Sequence, residues 1–258
     1  MKLNKLNHET VAKGFGINAE IDQSLEIRLL RDNPSCSTKY CTLSTNTEAE
    51  IEESGLYFIA DSDEGKRLAE IKFEIELLPR VKSPSRKVAF LDRDGILIKD
   101  TEYPGLIKDV IFLPEVIPLL RQLKTKGFEF IVVTNQSGIG RGKYTIDDFK
   151  GTTKYIESFY HSLGIDILET YYCPYHKEAV VAEFKKNSYY RKPQSGMHVA
   201  AAEKHGIDIA QSIMIGDRKS DKIKLSSLRC FTVGTTDPNS DFKTFQELQA
   251  YLEDHLPD

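Results

Sequence analysis

The chain has 258 residues, enough for one large domain or two modest ones. Hydrophobic residues make up 40% and charged residues 29%, the balance of an ordinary globular protein, and no apolar run approaches the roughly 18 residues of a membrane span. A net charge of −4 gives no general attraction to nucleic acid or acidic membranes, so neither is expected as a partner.

The N-terminal stretch, MKLNKLNHETVAKGFG, has no long apolar core and no small-residue cleavage site. No secretory signal is expected, and the expected location is cytoplasmic. Cys36, Cys41, Cys173 and Cys230 form no C-x-x-C pair and are expected as free thiols. Strand patterns at 25–30, 40–45, 55–60 and 69–77 come without long helices between them. The last alternates, with Ile71, Phe73, Ile75 and Leu77 on one face and Lys72, Glu74 and Glu76 on the other. Residues 1–80 are therefore expected to form a small β-rich domain. The basic, polar stretch at 81–86, with Pro84, reads as a linker.

From 87 to 258 the pattern changes. KVAFL (87–91) is short and continuously apolar, as for a strand buried on both faces. Residues 113–126 carry apolar side chains at helical spacing, with Pro114 suited to the first turn and Gly127 to the end. FEFIVVTN (128–135) reads as a second strand, and 145–164 as a long helix capped by Thr145. ETYYCP (169–174) is a third strand, and 196–206 a helix stopped by Gly206. SIMIGD and CFTVGT supply two more strands. Strand–helix alternation of this kind predicts an α/β fold, a parallel sheet covered by helices on both faces.

In such sheets ligands bind beyond the carboxyl ends of the strands. Asp92 and Asp94 follow the first strand. Thr134, Asn135, Gln136 and Ser137 follow the second, and Gly216, Asp217, Arg218 and Asp221 follow the fourth. Asp92, Asp94 and Asp217 are like charges expected in one place, a conflict that a hard divalent cation such as Mg²⁺ removes. Thr134 and Ser137 offer hydroxyls to phosphate oxygens, and Arg191 and Lys192 in RKP offer cations. Each piece alone also fits a solvated turn. Their order at successive strand ends points to phosphoryl transfer.

DRDG, TNQSGIGRG (134–142), CPYH (173–176), RKPQSGM (191–197) and GDRKSD (216–221) together resemble the haloacid dehalogenase superfamily of aspartyl-phosphate phosphatases. Within it they look like the heptose 1,7-bisphosphate 7-phosphatase and histidinol-phosphatase group, and TNQSGIGRG favours the heptose branch. The resemblance covers about residues 87–240. It implies a three-layer Rossmann-like fold, a phosphorylated sugar as substrate and Mg²⁺ as cofactor. It implies Asp92 as nucleophile and Asp94 as general acid and base. Thr134 and Lys192 would hold the phosphoryl group, with Asp92, Asp217 and the backbone carbonyl of Asp94 on the metal. It further implies substrate contacts from Asp100, Thr101, Glu102, Tyr103, Asn135, Gln136, Ser137, Arg191 and Arg218.

Many relatives hold a structural zinc with four Cys/His ligands in the loop before RKP. Here Cys173 stands alone, with Tyr175, Ser188 and Tyr190 at the other positions, so no zinc is expected. The other histidines, His8, His161, His198, His205 and His255, are expected on exposed helix faces or termini. A histidinol-phosphate or other small phosphomonoester substrate, a 3′-phosphorylated polynucleotide, and an inactive scaffold are the alternatives. Residues 1–80 are expected to mediate self-association, to act as a lid or to bind a partner enzyme.

Overall fold

The computed structural model describes residues 84–225, 227–234 and 237–256, together with six short strands nearer the N-terminus. The chain's own contacts divide it into two units, 1–80 and 81–258. In the first, β1 (Lys2–Leu3), β2 (Glu26–Arg31), β3 (Tyr40–Thr42), β4 (Ala49–Glu52), β5 (Gly55–Phe58) and β6 (Phe73–Leu78) pair in the order β1-β4-β5-β6-β2-β3. Every pairing is antiparallel. The side-chain alternation read at 69–77, His8, Cys36 and the linker residues 81–83 lie outside what the structure describes.

In the second unit, β7 (Val88–Leu91), β8 (Glu129–Asn135), β9 (Ile167–Cys173), β10 (Ile213–Gly216) and β11 (Arg229–Thr232) form a sheet ordered β11-β10-β7-β8-β9. All four pairings are parallel. The chain runs from β7 outward to β9, then crosses to β10 on the other side of β7. The order reverses at β7, which puts the switch-point crevice at the carboxyl end of that strand.

Helix α1 (Ile117–Thr125) follows a 3₁₀ turn at Pro114–Val116, so the helix expected over 113–126 is split. Pro118 near the helix start has no N–H to offer, and the tighter turn ahead of it needs none there. A single turn, α2 (Ser137–Gly140), leaves β8. The long helix expected over 145–164 is α3 (Ile146–Ser162). Thr145 caps it by accepting from the Asp148 N–H (3.1 Å), while Asp148 accepts from the Thr145 N–H (2.9 Å). Helices α4 (Gly196–His205) and α5 (Phe245–His255) complete the unit. Helix α5 has no counterpart among the expected elements.

One face of the sheet buries Ala89 and Leu91 against Leu119 and Leu123 of α1 and Leu248 and Leu252 of α5. Phe90 points to the other face and meets His198 of α4 edge-on, ring centres 4.8 Å apart. With helices on both faces, the architecture is the three-layer α/β fold expected. Exposure of His198 is corrected: it is fully buried, because the first turn of α4 packs inward with Met197, Val199 and Ala201. His161 and His255 are exposed, and His205 is half-buried beside Glu169 (2.7 Å). Among the described residues, no helix is long and apolar enough to cross a membrane.

Candidate active site

The β7 strand ends at Leu91, and Asp92 extends its ladder by one bond, donating its N–H to the Ile215 carbonyl (2.9 Å). The chain then folds back tightly: the Leu97 and Ile98 N–H groups both donate to the Arg93 carbonyl (3.0 and 3.1 Å). Gly95 sits in the left-handed region at φ +85, and a Cβ there would lie 2.4 Å from the Asp217 carboxylate. Only glycine fits both constraints. Close approach from the β10 end thus lodges Asp217 against the DRDG turn.

Asp92, Asp217 and Asp221 each offer a carboxylate oxygen, and these atoms lie within 4.8 Å of one another. All three residues are buried. The Lys192 ammonium, with its side chain fully enclosed, stands 2.8 Å from Asp92 Oδ2 and 2.6 Å from Asp221 Oδ1. Its position is set by Asn135: the amide oxygen accepts from the Lys192 N–H (3.0 Å) and the amide nitrogen donates to the Lys192 carbonyl (3.1 Å). Asp221 also accepts from the Arg218 N–H (3.0 Å), which holds the turn after β10 closed.

Burial pushes the Asp92 carboxyl up to about 8. Lys192 opposes the rise, while Asp221 and Asp94 add to it. Burial and Asp221 likewise push Asp217 to about 7, against Arg218. Burial works against the Lys192 charge, but Asp221 and Asp92 outweigh it and hold the ammonium above its ordinary range. Buried carboxylates with excess negative charge, and an Asp217 Oδ1 that has no hydrogen-bond partner, fit a hard divalent cation with oxygen ligands. Asp92, Asp217 and Asp221 are the residues that would hold it.

Asp94 is placed differently from this trio. Its carboxylate accepts from Arg93 Nε (2.8 Å) and Nη2 (3.2 Å), and from Gln136 Nε2 (3.0 Å). Arg93, itself buried, also donates to the Pro104 carbonyl (2.8 Å). Thr134 ends β8 on the same rim and accepts from Gln136 Nε2 (2.8 Å). Gln136 is buried rather than open to a pocket. Ser137 begins α2 and is half-buried. Asp100 pairs with Arg218 across the rim, whereas Thr101, Glu102 and Tyr103 are exposed in a turn where Glu102 and Tyr103 have φ of 51 and 67. Arg191 donates to the Tyr175 carbonyl (3.4 Å), with burial drawing it below its ordinary range.

Most of the expected residues therefore reach one rim. Asp221 follows β10 with them but carries no expected role, and no role is expected for Arg93 or Tyr144. The signal for Asp221 was available: it lies four residues after Asp217 in GDRKSD, within reach of the same ion. Cys173 is buried with its thiol pushed up, 3.9 Å from the Tyr175 carbonyl. Its loop carries Tyr175 against Phe184 (ring centres 6.0 Å apart) and the Lys186 ammonium over the Tyr175 ring (4.2 Å).

The polynucleotide kinase 3 phosphatase family model matches residues 87–246. A D-glycero-alpha-D-manno-heptose-1,7-bisphosphate 7-phosphatase of Photorhabdus laumondii is 38% identical over 158 residues, which covers 60% of this chain and 86% of the relative. The D-glycero-beta-D-manno-heptose-1,7-bisphosphate 7-phosphatase of Escherichia coli K12 is 41% identical over 132 residues, covering 51% and 69%. A HAD-like phosphatase from Mesorhizobium loti shares the fold with a TM-score of 0.60 at 27% identity, covering 71% of this chain and 93% of its own. D,D-heptose 1,7-bisphosphate phosphatase from B. bronchiseptica, solved with magnesium and phosphate, shares it with a TM-score of 0.54 at 18% identity, covering 66% and 99%.

Proposed function

We propose, on the premise that this chain belongs to the polynucleotide kinase 3 phosphatase family of haloacid dehalogenase-like phosphatases, that it is a Mg²⁺-dependent sugar-phosphate phosphatase acting on D-glycero-D-manno-heptose 1,7-bisphosphate at the 7-phosphate. The observation that carries the reading is the enclosed Lys192 ammonium between Asp92 and Asp221, with Asp217 beside them. Carboxylates and a cation facing each other at a strand end are what an in-line displacement on phosphorus needs.

In this reading Asp92 attacks phosphorus, and the bond from phosphorus to the sugar oxygen breaks as Asp94 gives that oxygen a proton. Asp94 then takes a proton from water, which attacks the aspartyl phosphate, releasing inorganic phosphate and restoring the Asp92 carboxylate. Lys192 and Thr134 hold the phosphoryl oxygens. Asp92, Asp217, Asp221 and the Asp94 carbonyl would hold Mg²⁺, which would supply charge neutralisation for the transferring group. Arg191, Arg218 and the 100–103 turn contact the sugar or its second phosphate, with Asn135 and Ser137 lining the pocket. No zinc is needed in the 173–193 loop. Residues 1–80 form a domain for self-association or a lid, and the enzyme works in the cytoplasm.

The family's name refers to a polynucleotide, but a net charge of −4 gives no general attraction to a nucleic acid. A panel of both anomers of the heptose bisphosphate, histidinol phosphate and a 3′-phosphorylated oligonucleotide, each with and without Mg²⁺, tests the reading. Phosphate release from a heptose bisphosphate well above the others is expected. Preference for the oligonucleotide, or no Mg²⁺-dependent release from any of them, would overturn it.

A further inference from the structure

The buried amide of Gln136 sits behind the site rather than in it. It is as buried as Thr134, so what sets it apart from the phosphate-binding residues is where its polar atoms are spent. Its polar atoms are committed within the protein. Nε2 donates to Asp94 Oδ2 (3.0 Å) and to Thr134 Oγ1 (2.8 Å), and Oε1 accepts from the Tyr144 hydroxyl (2.5 Å). Both amide hydrogens and the carbonyl are thus assigned.

Two consequences follow from these bonds. An ionised Asp94 is an acceptor only, so it needs the nitrogen end of the amide turned towards it. Thr134, having accepted one hydrogen from Gln136, keeps its own O–H hydrogen to give. A phosphoryl oxygen is the acceptor that a phosphatase would place there.

Tyr144 is fixed in turn. A Cβ at Gly105 or Gly138 would stand 2.0 or 2.4 Å from its ring, so the ring fills the space those glycines leave. Tyr144 also directly precedes Thr145, the cap of α3, and Thr152 of α3 donates to the Gly105 carbonyl (2.8 Å). On the other side, Arg93 grips Asp94 through two nitrogens.

We infer that Tyr144 and Gln136 are a positioning pair, which holds the proton-transferring Asp94 and the phosphate-binding Thr134 in working orientation without touching substrate. The inference rests on the phosphatase reading above and assigns Gln136 a role different from the substrate contact expected from sequence.

The test is a leaving-group comparison. An alkyl phosphate needs a proton on its departing oxygen, whereas p-nitrophenol departs as a stable anion. A misplaced Asp94 therefore penalises the alkyl substrate selectively. Tyr144→Phe and Gln136→Leu are assayed with the best alkyl phosphate of the panel and with p-nitrophenyl phosphate. Tyr144→Phe, which keeps the ring and its packing, is expected to lower kcat/KM for the alkyl ester about tenfold, mostly in kcat, and for the aryl ester by less than about threefold. Gln136→Leu is expected to show a larger contrast of the same sign. Equal losses on both esters, a change confined to KM, or no change in Tyr144→Phe would overturn the inference while leaving wild-type turnover intact. A wild-type chain inactive on both esters would overturn the phosphatase reading and the inference together.

Discussion

Replacing Gly95 with alanine tests where Asp217 sits. Gly95 has φ +85, and a Cβ would fall 2.4 Å from the Asp217 carboxylate carbon and from one of its oxygens. Ordinary carbon contacts are about 3.5–4.0 Å, so the carboxylate must retreat by about 1 Å. Two costs combine in stability: about 1–2 kcal/mol for a side chain in left-handed backbone, and about 1–3 kcal/mol for overpacking. The sum of about 2–5 kcal/mol is read by urea unfolding. In function, a displacement of that size at a carboxylate proposed to hold Mg²⁺ is worth about a hundredfold in kcat, with a raised Mg²⁺ requirement. Gly164 supplies the control. Its φ is +75, but nothing lies within 4 Å of its Cβ position, so Gly164→Ala carries the backbone cost alone. Gly95→Ala indistinguishable from Gly164→Ala in stability, turnover and Mg²⁺ requirement would refute the placement of Asp217.

Asp221→Asn removes one charge from the metal group while Lys192 keeps Asp92 as partner (2.8 Å). It should raise the Mg²⁺ concentration for half-maximal activity by about tenfold or more, and an unchanged Mg²⁺ titration would remove Asp221 from the site. Without divalent cation, Asp92 at about 8 and Asp217 at about 7 keep protons in the folded state that the unfolded chain, near 3.8, has already lost. The folded state then binds more protons from the ordinary carboxylate range up to about pH 8, so stability falls as pH rises through that window. Saturating Mg²⁺ should flatten that slope in a urea-unfolding series, and a slope of the opposite sign would contradict it. Burial and the Lys192 charge lower His198 to about 3, so the unfolded chain, near 6.5, binds the extra proton and His198 costs stability as pH falls through that window. Its ring nitrogens have no hydrogen-bond partner, so His198→Phe should leave neutral-pH stability within about 1.5 kcal/mol and flatten the acid side of a thermal-denaturation profile.

What the sequence made legible was the part that is local. Short apolar runs flanked by punctuating residues announced β7, β8 and β10, and polar clusters at their ends announced the rim. The chain order of Asp92, Thr134, Lys192 and Asp217 carried the rest, because a parallel sheet collects strand ends on one side. What escaped depends on packing. A stretch as apolar as GMHVAAAEKHG does not reveal which turn faces the sheet, and His198 went inward with the first. Gln136 reads as a pocket residue because it stands between Asn135 and Ser137 at the end of β8, yet the Tyr144 hydroxyl and Asp94 draw its amide into the interior. The role of Asp221 depends on a close approach at Gly216, where a Cβ would stand 2.2 Å from the Asp221 carboxylate carbon, and linear spacing shows only that it is within reach. Arg93 reads as a solvated charge until Pro104, eleven residues on, supplies its acceptor.

The proposed reaction passes through an acyl phosphate on Asp92. Borohydride reduces an acyl phosphate to an alcohol, so protein quenched with it during turnover should yield a peptide in which residue 92 has become homoserine, read by mass spectrometry. Homoserine at position 92, absent without substrate, is the predicted result. Homoserine instead at 94, 217 or 221 would contradict it.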